Sequence, residues 1–538
     1  MIFSKILRLD RDPCLPVGRP KVADSRKLFH KAFRAYGKKG VFSVFSYQLF
    51  ESSRGIGGTG HVKRIEGKTI VTDWGAEFER NPLTGNNIVI PPAGNFMKGE
   101  RVDAFILTHA HMDHAYYAAR FAAEHPKAVV YVSRAAFAAL EILLGDALRI
   151  AEYEREASWK AHRSVLEMGF TEVQLKQFLR SKQIEKVDEP CWYRPWKGWE
   201  LGFHSAGHDT GAMSAYVITP KGKTVYLTGD ASAQNQEIRE GVLLPNEEFL
   251  GDFFEHPHLT MITEATNGNR NICESDHVPG DVVASVNRHC EHITEDLIRT
   301  VKAVERRGGQ VLTPVFMKNR ASRNIVALTS AGFRVHVDGG AREMAPLEIP
   351  NFRELVANGQ VVLFEKGTKD DPSGYRTGDM HRTLLAQGKD PCGIKFSPVI
   401  APSATLEKGY VVGHAVDMLE DPRNAVIFTG HLFENSAGKR LYETKKGETI
   451  ALDVWDSETK TAQKVTVTVR ADIYYFDRTG HDYQETLLER IRLVKPETLI
   501  IHHAEPAAYE ALASLVARLP NPPRRIFRGG QDEIELAA

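Results

Sequence analysis

The stretch FILTHAHMDH, residues 105–114, constrains the fold of this chain more than any other feature. An apolar run typical of a buried strand ends at Thr108. Four metal-binding side chains follow it within six positions: His109, His111, Asp113 and His114. This concentration at a strand end predicts a sheet-based metal site. Imidazole nitrogens with carboxylate oxygens suit Zn²⁺ first and Mn²⁺ second.

One such motif cannot fill two coordination spheres, so further ligands are expected downstream. His208 lies in the Gly-flanked turn SAGHDTGA, Asp230 ends the predicted strand TVYLTGD, and His503 ends ETLIIHH. Because strand side chains alternate, only one of the adjacent His502 and His503 can face the metals. We interpret His204 as an ordinary strand or loop histidine.

Composition limits the class of protein. A chain of 538 residues predicts two or three domains. Lys plus Arg equals Asp plus Glu at 69 each, so no net charge attracts a polyanion. The five scattered cysteines show no CxxC spacing, which argues against a disulfide framework and favours a reducing compartment. No apolar run has membrane-spanning length and no signal-peptide core is visible, so we expect a cytoplasmic protein without membrane contact.

The pattern changes several times along the chain. Residues 1–40 carry eleven Lys or Arg against three Asp, and form either a solvated amphipathic helix or a nucleic-acid or partner contact. Short β-rich runs fill 41–132, and 134–182 looks like a helical insertion. After about 276, helical and strand patterns alternate, which predicts a mostly parallel sheet covered by helices. Residues 366–395 are expected to form a long loop.

Several motifs together resemble a known family. HAHMDH, AGHDTG and YLTGD resemble the metallo-β-lactamase superfamily, and TDWG, with Asp73, resembles its early aspartate motif. GIGGTG is similar to the ribonuclease J group, and LLGDALRIAE to RNA 3′-end-processing endonucleases. The β-CASP subgroup is resembled by LTMITEATNGNRN, GGQVLTPVFMKNRASRNIVAL, NAVIFTGHLFENSAGKRL, YYFDRTGHDYQETL and IIHHAEP.

This resemblance implies an α/β architecture, a four-layer αββα metallo-β-lactamase fold with an inserted α/β β-CASP domain. The expected division is a basic N-terminal segment at 1–40, the first part of the metallo-β-lactamase domain at 41–275, the β-CASP domain at 276–450, and the return segment at 451–538.

The resemblance also implies roles for the metal-binding residues. His109, His111 and His208 would hold one zinc ion. Asp113, His114 and His503 would hold a second, with Asp230 bridging and Asp73 orienting the ligands. His503 is preferred to His502 because HAE matches the family's HGE.

The implied reaction is phosphodiester hydrolysis by a hydroxide held between the two ions. His481 is the candidate general acid for the leaving 3′-oxygen, and Glu264 would orient it and keep it protonated.

The substrate is expected to be RNA, since a histidine at the last motif is more typical of RNA-acting members. A DNA nuclease, a non-catalytic scaffold subunit and, less strongly, a small-ester hydrolase stay open, as do endonuclease and 5′-exonuclease action and a homodimer. Six polar or basic residues are candidate substrate contacts, with solvated surface charges as the alternative for the basic ones: Lys318, Arg320, Arg323, Ser403, Lys439 and Arg440.

Overall fold

Two seven-stranded sheets lie face to face in the computed structural model, which describes residues 45–50, 57–80, 87–90, 97–160, 169–364, 396–456, 461–530 and 533–536. The first sheet has the spatial order Ile534–Leu536, Phe45–Phe50, Gly60–Ile65, Lys68–Thr72, Ala104–Leu107, Val129–Ser133 and Ile184–Val187. The second has the order Arg525–Arg528, Thr498–His502, Leu259–Glu264, Thr224–Leu227, Met213–Ile218, Glu200–Ser205 and Cys191–Tyr193.

An apolar core joins the inner faces of these two sheets. Ile106 and Tyr131 of the first sheet share one buried cluster with Phe203, Val225 and Ile500 of the second. Because side chains alternate along a strand, every second residue of each strand points into this layer.

Helices cover both outer faces. Ala118–Glu124, Arg134–Lys160 and Glu172–Leu179 pack on the first sheet, and Gln484–Val494 and Pro506–Val516 pack on the second. Thr171 and Gln174 form the capping box that their spacing predicts. The four-layer αββα arrangement is therefore confirmed. The shorter elements are Met112–Ala115, Glu247–Leu250, Phe253–Glu255 and Glu274–Asp276.

A third sheet has six strands, and all its described pairings are parallel. Its order is Val361–Leu363, Val335–Val337, Val399–Ala401, Val311–Pro314, Ala425–Phe428 and Asp472–Tyr475. Apolar clusters lie on both of its faces, as a parallel sheet requires. The helices of this region are Val282–Arg306, Arg320–Ser330, Ala341–Glu348, Phe352–Ala357, Tyr410–Leu419 and Ala437–Glu443. The remaining strands form two antiparallel pairs: Glu77–Arg80 with Asn87–Ile90, and Thr449–Asp456 with Thr461–Thr468.

The last strand of the third sheet lies beyond the predicted boundary at residue 450. Asp472–Tyr475 pairs in parallel with Ala425–Phe428, so this stretch belongs to the inserted sheet. We therefore propose that the chain returns to the two-sheet domain near residue 476 rather than at 451. The predictions for residues 1–40 and for a loop at 366–395 lie outside the described residues.

Candidate metal centre

The predicted ligands meet where strands of both sheets end. The chain runs from Ala104–Leu107 of the first sheet directly into the 109–114 motif. In the second sheet, Thr224–Leu227, Leu259–Glu264 and Thr498–His502 are adjacent parallel strands. Their carboxyl ends therefore bring Asp230, Glu264 and His503 to one edge of that sheet, opposite the motif.

Three imidazoles form a compact first group. The Nδ1 of His111 lies 3.1 Å from the Nε2 of His109 and 3.2 Å from the Nε2 of His208. The ring of His208 is oriented by its Nδ1, which lies 2.8 Å from the carbonyl oxygen of Gly480. Nitrogens at this mutual spacing can all bind one ion at about 2.0–2.1 Å, the ordinary zinc–nitrogen distance.

Asp230 connects this first group to a second one. Its Oδ2 lies 3.3 Å from the Nε2 of His114 and 3.6 Å from the Nε2 of His109. The Nε2 of His503 lies 3.4 Å from the Oδ2 of Asp113. Among the described residues, the buried His114 Nε2 and Asp230 Oδ1 have no hydrogen-bond partner. Buried polar atoms of this kind are expected where a cation belongs, so the donor set fits a metal.

Electrostatics favours the metal-binding forms of the three first-group imidazoles and of Asp113. Burial lowers the pKa of the imidazoles of His109, His111 and His208, which favours the neutral ligand form. Burial acts to raise the pKa of Asp113, but His114 and His503 outweigh it and lower that pKa to about 2. The carboxylate is therefore ionised at neutral pH.

Asp73 holds the motif in place from the neighbouring strand. Its Oδ1 accepts the Thr108 backbone N–H at 2.8 Å, and its Oδ2 accepts the Thr108 hydroxyl at 2.7 Å. The same Oδ2 lies 2.9 Å from the Nδ1 of His114 and fixes that ring with Nε2 toward the metal group. The backbone of Gly75 packs directly against the motif, since a Cβ at this position would lie 1.7 Å from the carbonyl oxygen of Asp113.

The two adjacent histidines face opposite ways. The Nδ1 of His503 lies 2.9 Å from the hydroxyl of Thr266, and its ring lies with the metal-binding groups. The ring of His502 instead packs edge-on against that of His61, with centroids 4.4 Å apart. The structure thus places His503, the predicted ligand, on the side of the metal centre.

His481 borders the same centre. Its Nδ1 lies 3.1 Å from the Oε1 of Glu264, and its Nε2 lies 3.9 Å from the Oδ2 of Asp230. Burial opposes a charge on this imidazole, but Glu264 and then Asp230 outweigh it and raise the pKa of His481. Asp482 anchors the loop by accepting the Ala233 N–H at 2.6 Å and pairing with Arg490 at 2.6 Å.

The predicted substrate contacts differ in availability. Lys318 and Arg323 are 3% and 2% exposed and already pair with Glu348 at 3.3 Å and Glu237 at 2.7 Å, respectively. We therefore do not propose these two as phosphate ligands. The other four stay predictions. Arg320 is partly buried, Ser403 contacts the Thr405 hydroxyl, Lys439 pairs with Glu443 at 3.2 Å, and Arg440 is exposed.

Sequence reasoning missed three contributors. Thr266 orients His503, and the Gly480 carbonyl orients His208. The Oδ2 of Asp209 lies 3.5 Å from the Nε2 of His111. A backbone carbonyl leaves no signal in a sequence. Asp209 directly follows a predicted ligand, and that adjacency is the one signal that could have revealed it.

Two family models match the chain. Residues 65–181 match the metallo-beta-lactamase superfamily, and residues 466–522 match the Zn-dependent metallo-hydrolase RNA specificity domain. The second match contains His481 and His503, and the first contains Asp73 and the 109–114 motif.

Several curated proteins are similar over most of the chain. Probable RNase MJ4 of Methanocaldococcus jannaschii is 23% identical over 423 residues, which cover 78% of this chain and 85% of that protein. Ribonuclease TTHA0252 of Thermus thermophilus is 24% identical over 473 residues, 85% of this chain and 92% of that protein. Transcription termination factor FttA of Methanocaldococcus jannaschii is 25% identical, over 78% of this chain but 61% of that protein.

A solved structure shares the fold. The crystal structure of a protein of unknown function from Enterococcus faecalis V583 superposes with a TM-score of 0.51 at 16% identity, covering 91% of this chain and 100% of that one. Within the described residues, no helix has the length and apolar character needed to cross a membrane.

Proposed function

We propose that this chain, which belongs to the metallo-β-lactamase superfamily, is a metal-dependent ribonuclease that hydrolyses RNA phosphodiester bonds. One observation carries the proposal: five imidazoles and two carboxylates, the complete predicted ligand set, converge beside the His481–Glu264 pair. A scaffold without activity has no need to keep both the metal ligands and the His481–Glu264 pair.

The site would hold two zinc ions, with manganese as the alternative. One ion would be bound by His109, His111 and His208. The other would be bound by Asp113, His114 and His503, and Asp230 would bind both ions. The bound metals would supply an acidified water and would stabilise negative charge on the phosphate.

The chain itself supplies the proton for the leaving group. The Nδ1 of His481 is engaged by Glu264, so its Nε2, on the side of Asp230, is the nitrogen that can donate to a leaving 3′-oxygen. Glu264 acts through His481, because it orients the ring and favours its protonated form.

RNA is the proposed substrate rather than DNA. Two observations favour it: the RNA specificity domain match covers both His481 and His503, and the similar curated proteins include named ribonucleases. Arg320, Ser403, Lys439 and Arg440 are the proposed contacts to the RNA backbone. A homodimer and a cytoplasmic location stay predictions.

A denaturing-gel time course tests the proposal. A single-stranded RNA with a 5′-monophosphate and a 3′ label is compared with its DNA twin, in Zn²⁺ or Mn²⁺, beside an Asp113→Ala control. RNA cleavage that disappears in the control is the expected result. A ladder from one end would identify exonuclease action, and discrete internal products endonuclease action. Cleavage that survives in the control, or cutting of DNA alone, would contradict the proposal.

A further inference from the structure

A buried chain of charges lies directly behind the first histidine group. Asp209 is completely buried, and neither of its carboxylate oxygens has a hydrogen-bond partner among the described residues. Its Oδ2 lies 3.5 Å from the Nε2 of His111 and 3.3 Å from the Nζ of Lys318. An ionised carboxylate in such a position needs compensation from both neighbours, since burial of an unpaired charge is costly.

The two nitrogens of His111 have different surroundings. Its Nδ1 faces the other imidazoles of the first group, at 3.1 Å from His109 and 3.2 Å from His208. Its Nε2 therefore points away from the proposed metal and toward Asp209. A carboxylate behind a metal-binding imidazole fixes its tautomer and orientation and makes it a better donor. Asp73 makes a closer contact of this kind with His114 in the second group, a hydrogen bond at 2.9 Å.

Lys318 reaches this position from the third-sheet part of the chain. Its ammonium donates to the carbonyl oxygen of Thr210 at 2.8 Å and lies 3.3 Å from the Oε1 of Glu348. Burial opposes its charge, but Asp209 and Glu348 outweigh burial and raise the pKa of Lys318. The lysine thus lies in place as a counter-ion for the carboxylate behind His111.

The next residue ties the same two parts of the chain together. Asn319, in a left-handed conformation with φ of 64°, donates from its side-chain amide to the carbonyl oxygen of His208 at 2.9 Å. Its backbone N–H donates to both oxygens of Glu348, at 3.1 and 3.0 Å. The inserted region therefore contacts the backbone of His208 through Asn319, and the Asp209 carboxylate behind His111 through Lys318.

We propose that Asp209 is a positioning residue for His111, that Lys318 holds Asp209 in place, and that docking of the inserted region thereby completes the first metal subsite. This inference rests on the metal centre of the proposed function and adds a dependence of metal affinity on contacts outside the two-sheet domain.

Zinc affinity is the measurement that tests it. Metal-free protein competes with a chromophoric chelator for Zn²⁺, and Co²⁺ absorption reports the ligand geometry. Asp209→Asn keeps the side-chain volume and is expected to weaken one zinc site about 10–100-fold. Glu348→Gln is the matched control, because it removes the other carboxylate of Lys318 without touching His111. It is expected to lower thermal stability and to weaken zinc binding much less than Asp209→Asn does.

A double variant guards against simple misfolding. Lys318→Met alone leaves Asp209 and Glu348 without their cation, whereas Asp209→Asn with Lys318→Met removes the pair together. The double variant is expected to recover stability relative to Lys318→Met but to keep the weakened zinc site and an altered Co²⁺ spectrum.

Two results would overturn the inference. One is wild-type zinc affinity in folded Asp209→Asn, which would make the carboxylate a counter-ion for Lys318 only. The other is full recovery of zinc affinity in the double variant. Neither measurement uses RNA, so an inactive wild-type protein would refute the ribonuclease proposal while leaving these results interpretable.

Discussion

Replacement of His481 by alanine is expected to slow RNA cleavage while leaving metal binding intact. Nδ1 of His481 is held by Glu264 at 3.1 Å, and its Nε2, which lies 3.9 Å from the Oδ2 of Asp230, is the proposed donor on the metal side. A general acid is typically worth about 10²–10⁴ in rate, which corresponds to about 3–5 kcal/mol. Because the His481 side chain is only 16% exposed, we expect a loss of rate in the upper part of this range.

The assay is single-turnover cleavage of two matched RNAs. One has the natural 3′-oxygen at the scissile bond, and in the other sulfur replaces that bridging oxygen. A thiolate leaves without needing a proton, so the His481→Ala variant should lose much less activity on the sulfur substrate. The zinc content of the variant is the control for an intact metal centre.

Two outcomes would refute this role. Near-wild-type cleavage of the oxygen substrate would show that His481 is not the acid. An equal loss on both substrates, with zinc retained, would show that the histidine acts on something other than the leaving group.

Three further variants probe the surroundings of the centre. Asp73→Asn should weaken zinc binding about 10–100-fold in chelator competition, because the hydrogen bond that orients His114 is altered; unchanged affinity would contradict this. Gly75→Ala should lower the free energy of unfolding in urea by about 1–3 kcal/mol and lose metal, because the added Cβ would meet backbone atoms. The control is Gly145→Ala, where a Cβ on this helix meets no atom within 4 Å, and it should be neutral or stabilising. Glu237→Gln should lower the thermal midpoint at pH 7. Burial opposes ionisation of Glu237, but two arginines outweigh it and hold the pKa of Glu237 below its ordinary value. The difference in thermal midpoint between wild type and variant should therefore shrink as pH falls below about 4, and a difference that stays constant would contradict this.

Local signals of the sequence predicted the parallel third sheet and the metal-binding side chains at strand ends, whereas the four-layer arrangement was implied by the family resemblance. The apolar run before Thr108 and the ligands at strand ends predicted where the sheets would place the metal-binding side chains. The alternation of helix and strand after 276 predicted the parallel third sheet, which the pairings confirm. These features depend on neighbours within a few residues, so a single sequence contains them.

Long-range pairing explains what the sequence did not reveal. Lys318 and Arg323 form a basic pattern that suits phosphate binding, but their partners Glu348 and Glu237 are remote in sequence. Likewise, nothing in the stretch 472–475 shows that it joins the third sheet rather than the second. Pairing of this kind is decided by the tertiary fold and leaves no periodic signal.

The measurement that tests the central claim most directly is the cleavage rate as zinc is returned to metal-free protein. The RNA, its concentration and the pH are kept constant while zinc is added in fractions of an equivalent. The account predicts no cleavage without metal and a rate that rises to a plateau at two equivalents of zinc. Cleavage by the metal-free protein, or a plateau at one equivalent, would contradict a two-metal ribonuclease centre built from these seven ligands.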